Sequence, residues 1–119
     1  MSDLTTSSEL VPTARLDGTT VVLSLRGEID LHNSPEVRTE VLALIIRHKP
    51  VKLVMNLDQV PYMDSSAIAV LVESVQKMRK TGGSVFLTNI QQRVRSVLEI
   101  AHLNSIFTIT ADEQEALSK

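Results

Sequence analysis

Asp64, Ser65, Ser66 and Ala67 stand in succession between an apolar run at residues 51–57 and a second apolar stretch that begins at Ile68. The first run reads as a buried strand and the second as a helix, so these residues occupy a strand-to-helix corner. An acid and two hydroxyls at such a corner place a modifiable side chain where unpaired backbone N–H groups converge. That environment favours a phosphate and leaves it open to a partner. Asp64 also suffices as an ordinary N-cap, with Ser65 and Ser66 filling the first turn. The apolar start of the helix points beyond a cap. Ser66, Ala69, Val70 and Glu73 follow helical neighbour spacing on the side opposite the expected core face, which predicts a small apolar patch beside Ser65 unless the loop at residues 27–33 covers it.

Other chemistry is poorly supplied. A nucleophilic serine needs a base, and His32, His48 and His102 fall in separate elements with no triad pattern or G-x-S-x-G elbow. There is no cysteine, which removes disulfides, thiolate zinc ligands and thiol catalysis. The histidines lack metal-ligand spacing, and Asp58 and Asp64 bracket a Pro-containing loop that suits turn capping better than a cation site. Gly82-Gly83 has no Lys-Ser/Thr ending and follows a helix, so it reads as a turn and not a phosphate loop. No enzyme activity, cofactor or metal is expected. The formal charge of −2 has no basic block behind it, and aromatics at 3% offer few stacking platforms, so nucleic acid is not an expected partner. No run is long enough to cross a membrane and no secretory h-region is evident; a cytoplasmic protein without membrane association is the expectation. Glu28-Ile29-Asp30 is either a solvated acidic loop or a partner-contacting one that crosses near the Ser65 corner.

The elements that must position this corner follow from periodicity. Residues 1–10 are polar and Ser/Thr-rich, and predict a flexible tail. Strands are predicted at residues 11–16 and 19–26, joined by a hairpin at Asp17-Gly18, with Pro12 confining the first to an edge. Ser34 as N-cap and Pro35 at the first helical position open a helix that ends at Lys49-Pro50. The strand at 51–57 is apolar on both faces, as in sheets with crossover helices. A second helix is predicted from about 65 to 79 with Ile68, Leu71, Val72, Val75 and Met78 facing the core, then a strand at 84–88. Asn89 caps a third helix with Gln92 in a capping-box position, Asn104 stops it, 105–109 forms a last strand, and Thr110 opens a short acidic helix. Repeated strand–helix–strand units force parallel pairing, and the hairpin adds antiparallel pairing. The fold class is therefore α/β: a small mixed sheet in one domain over residues 11–119, with helices packed against it.

Three segments carry a resemblance to a known family: residues 25–30 (LRGEID), residues 57–67 (LDQVPYMDSSA), and Gly82-Gly83 followed by SVFL. The chain resembles the STAS domain, most closely the single-domain anti-sigma factor antagonists. That resemblance implies phosphorylation of the serine directly after the aspartate, here Ser65. It implies as partners an anti-sigma factor serine kinase, which binds the unphosphorylated form and so releases its sigma factor, and a serine phosphatase that reverses the mark. The implied contact surface takes in Asp30, His32 and Asn33 before the first helix, Asp64, Ser66, Ala67, Ala69 and Val70 at the start of the second, and Asn89. A monomer is expected. The alternative is an accessory or scaffold STAS subunit of a lipid transporter or signalling complex, with Ser65 a plain first-turn residue. The family pattern has Gly where this chain has Ala67. Alanine favours helix by about 1 kcal/mol, and its methyl would obstruct a close backbone approach at that point.

Overall fold

Alternation sets the centre of the molecule. In the strand Thr20–Arg26, Val21, Leu23 and Leu25 face one side and Val22 the other; in Lys52–Gln59, Leu53, Met55 and Leu57 oppose Val54. Each of these side chains is essentially without solvent contact, so both faces of the sheet must be covered. The computed structural model describes residues 2–119. Its strands are β1 (Ser2–Asp3), β2 (Thr13–Asp17), β3 (Thr20–Arg26), β4 (Lys52–Gln59), β5 (Ser84–Thr88) and β6 (Thr108–Thr110). Its helices are α1 (Ser34–His48), α2 (Ser65–Arg79), α3 (Gln92–Ile100) and α4 (Glu113–Ser118). The sheet order is β1-β2-β3-β4-β5-β6, antiparallel across the first two pairs and parallel across the other three. This is the mixed α/β sheet the sequence predicts.

Each parallel connection carries one helix, and equal crossover handedness puts α1, α2 and α3 on one face. Val37 and Val41 of α1, Ile68 and Leu71 of α2, and Val94 and Leu98 of α3 share one core with Leu23, Leu53, Met55 and Leu87. The other face is closed by α4, where Ala116 and Leu117 lie over Val22, Val54 and Phe86. No described helix is long and apolar enough to cross a membrane.

Several local expectations are corrected. In the hairpin, Asp17 pairs with Thr20, so Gly18 and Thr19 are the central residues, and of the two only Gly18 has positive φ (62°). Glycine at the first central position is the type II′ arrangement. β2 is not the outermost strand, because Ser2 and Asp3 pair with Leu16 and Arg15. Residues 2–10, expected as a loose tail, are tied down: Leu4 donates its N–H to Ala14, Ser7 donates to Glu40, and Ser8 donates to Glu36. Leu4 and Leu10 also rest on the core. The N-cap of α1 is Asn33, not Ser34, and it makes no side-chain cap bond. Asn89 ends β5 in the left-handed region (φ 57°), and α3 begins later with Gln91 at its N-cap. The left-handed residue after α3 is His102 (φ 58°), not Asn104. Thr110 still belongs to β6, so the cap of α4 passes to Asp112, which accepts the Glu115 N–H at 2.9 Å.

Candidate functional site

The carboxyl ends of β3, β4 and β5 point the same way, so the loops at 27–33, 60–64 and 89–91 gather at one edge of the sheet. They are bonded to each other. Ile29 N–H donates to Tyr62 O at 3.1 Å, Asp64 N–H donates to Ile29 O at 3.2 Å, and Gln91 Nε2 donates to Asp58 O at 2.8 Å. The Arg93 guanidinium lies 5.0 Å from the centre of the Tyr62 ring. The topology thus brings the three segments expected to form a contact surface to one place.

Asp64 organises that place. It is extended (φ −91°, ψ −175°), the backbone state of an N-cap. Its Oδ1 accepts the N–H groups of Ser66 (3.0 Å) and Ala67 (3.1 Å) and the Ser66 hydroxyl (2.6 Å). Its Oδ2 accepts the Leu31 N–H at 3.0 Å. The Ser66 hydroxyl bond, foremost, holds the Asp64 carboxyl below its ordinary range; desolvation opposes, and the N–H bonds of Ala67, Leu31 and Ser66 add to the lowering. Ser65, the first residue of α2, is exposed. It stands in the wall of an open groove of about 560 Å³ with Ile68, Ala69, Val72, Val97 and Leu103.

The other expected contact residues divide. His32 and Ala69 are exposed. Asp30 and Asn33 are half-buried and turned to shaping their own loop. Asp30 Oδ1 accepts the His32 N–H at 2.9 Å, while Asn33 accepts the Asp30 N–H at 2.8 Å and donates to Glu28 O at 2.9 Å. Ala67 is 1% exposed and Val70 6%. Both face the interior, because α2 is flanked by the sheet on one side and α1 on the next, so they are corrected from contact to core residues. The Ala67 methyl is packed inside the domain. Asn89 is half-buried, and its Oδ1 is enclosed without a hydrogen-bond partner. Glu73 is held in a two-pronged ion pair with Arg38 of α1 at 2.6 and 2.7 Å.

Two features escaped the sequence reading. Leu31 is 72% exposed and hangs beside Asp64; an apolar residue between Asp30 and His32 with no core-facing companion was the available signal. The far wall of the groove comes from α3, through Val97 and Ala101.

The sheet thus carries a capped serine corner at the carboxyl ends of its parallel strands. The STAS domain family description matches residues 11–116, and the chain belongs to that family, in its anti-sigma factor antagonist branch. It is 29% identical over 94 residues to the anti-sigma-B factor antagonist of Bacillus subtilis strain 168, covering 79% of this chain and 84% of that protein. It is 30% identical over 89 residues to the anti-sigma-B factor antagonist of Listeria monocytogenes, covering 75% and 77%. Among solved structures, the Bacillus cell fate determinant SpoIIAA in its phosphorylated form superposes with a TM-score of 0.68 at 23% identity, covering 88% of this chain and 95% of that one. An anti-sigma factor antagonist from Mycobacterium paratuberculosis gives 0.79 at 22% identity over 88% of both chains. At those identities the structural likeness speaks for the fold. The family is one of regulatory binding proteins.

Proposed function

We propose that this protein is a phosphorylation-switched antagonist of an anti-sigma factor. The unphosphorylated form binds an anti-sigma serine kinase and displaces its sigma factor. Phosphorylation of Ser65 abolishes that binding, and a serine phosphatase restores it. The observation that carries this reading is the exposure of Ser65 beside a fully bonded Asp64, at the edge where three loops meet.

Magnitudes favour dissociation over refolding as the switch. A phosphate adds a charge of about −1.5 to −2. An exposed helix N-terminus favours such an anion by only about 0.3–1 kcal/mol, so the modified protein keeps its fold. Enclosing the same unpaired charge under a partner costs several kcal/mol, and each 1.4 kcal/mol is about tenfold in affinity. Interface loss exceeds the local gain, and the neighbouring Asp64 carboxylate adds repulsion.

The test uses a serine kinase of the anti-sigma class with ATP, mapping of the phosphate by mass spectrometry, and a binding measurement on Ser65→Asp. The expected result is phosphate on Ser65 and lost kinase binding with native circular dichroism. Wild-type affinity in Ser65→Asp would sink the switch and favour a constitutive scaffold subunit.

A further inference from the structure

Two adjacent hydroxyls share the corner, yet their surroundings differ. Ser65 is exposed. Ser66 is half-buried in the crease between α1 and α2, among Pro35, Arg38, Ala69 and Val70. Its hydroxyl donates to Asp64 Oδ1 at 2.6 Å and accepts from the buried Ser34 hydroxyl at 3.2 Å. A chain of three side chains therefore runs from the start of α1 through Ser66 to the cap of α2. Ser34, displaced from the capping role that its position suggests, supplies the first link.

We infer that Ser66 is a positioning residue of this corner and not a second acceptor: its hydroxyl fixes the Asp64 carboxylate, which in turn carries both the first turn of α2 and the loop at Leu31. The inference deepens the reading of Ser65 as the modified residue and rests on it for the choice between the two serines. Phosphoryl transfer from ATP forms an Oγ–P bond, breaks the bridging P–O bond to the departing ADP, and passes the hydroxyl proton to a base. At Ser66 the oxygen already accepts the Ser34 hydroxyl, and the side chain is half-buried between α1 and α2. Its proton faces Asp64 Oδ1, but that oxygen already accepts two backbone N–H groups. A carboxylate stabilised in this way is a weak base. Ser65 carries neither encumbrance on the exposed side of the turn.

The decisive measurement is the titration of the Asp64 side-chain carboxyl by carbon-13 NMR in wild type, Ser66→Ala and Ser66→Thr. The wild-type carboxyl is expected below the ordinary aspartate range. Ser66→Ala should move it upward, and Ser66→Thr, which retains the hydroxyl, should restore it, while circular dichroism stays native in all three. A carboxyl unmoved by Ser66→Ala would overturn the positioning role. A second arm treats Ser65→Ala with the kinase and ATP: Ser66 should stay at background, and phosphate on it at the wild-type rate would overturn the assignment. Failure of the wild type to take phosphate rejects the switch proposed above, and the titration still decides the role of Ser66.

Discussion

The N–H of Leu31 donates to Asp64 Oδ2 at 3.0 Å, so the loop before α1 and the first turn of α2 hang on one carboxylate. An N-cap normally serves only its own helix. Here its second oxygen also fixes an exposed leucine in a neighbouring loop.

Asp64→Ala should therefore destabilise at the upper end of the usual cap range of about 0.5–2 kcal/mol. Urea denaturation reads the loss. Amide hydrogen exchange should quicken at Leu31 as well as at Ser66 and Ala67. A faster exchange confined to α2 would show that the link to the loop carries no weight.

Ser65→Asp places a negative charge at the N-terminus of α2. Thermal unfolding should show a midpoint unchanged or slightly raised, in keeping with about 0.3–1 kcal/mol from the helix end. A large fall in midpoint would mean that Ser65 is structurally engaged.

Thr13, Ser24, Asn56, Thr88 and Thr110 face one another in register across five strands, on the side of the sheet that α4 covers. Thr13 and Ser24 bond each other, Asn56 bonds Glu113, and Thr110 bonds Asp112 O. The Thr88 hydroxyl is fully buried without a partner. Thr88→Val keeps the shape and removes that group, so it should stabilise by about 1 kcal/mol, seen as a higher urea midpoint at unchanged slope.

Glu113 ties α4 to the sheet through Arg15 and Asn56, each at 2.8 Å. Burial disfavours its charged form, but the bonds from Asn56 and Arg15 outweigh that, and its pKa is lowered. A carboxyl lowered in the folded state contributes stability above its unfolded pKa and loses it as pH falls through the folded value. Glu113→Ala should cost about 1.5–3 kcal/mol at neutral pH, the range for hydrogen bonds to charged groups. The gap from wild type should close as the pH falls below the carboxylate range. A gap independent of pH would assign the loss to packing.

Gly83 is tightly enclosed: a Cβ there would lie 2.7 Å from Met78 Cε and 3.0 Å from Val51 O. The methionine tip can move, whereas the carbonyl is held by the Ser84 N–H at 3.1 Å. Gly83→Ala should lower stability by about 1–3 kcal/mol, measured by thermal unfolding. A neutral result would mean that the turn after α2 shifts freely.

The bounds of α2, its Asp64 cap and the strand at β5 were legible in the sequence because apolar periodicity and a single capping residue coincide there. Caps set among several candidates were not. Asn33 and Ser34, and Thr110 and Asp112, suit a helix start locally, whereas Gln91 is not a usual capping residue and Asn89 is. Strand pairing makes two of these choices: Thr110 is still bonded opposite Thr88, and Asn89 must turn the chain out of β5. The anchoring of residues 2–10 was hidden because its partners, Glu36 and Glu40, lie far along the chain and carry no local signal. Ala67 and Val70 were misplaced because a helix wedged between a sheet and another helix buries more of its circumference than one stripe. The serine corner itself was legible, but the Ser34–Ser66 contact joins two separate elements and needs coordinates to be seen.

The order of the sheet follows the order of the chain without exception. As the polypeptide lengthens, every new strand joins the latest edge, and none has to be slipped between two that are already zipped together. A nascent chain can therefore lay down its scaffold in the order of synthesis.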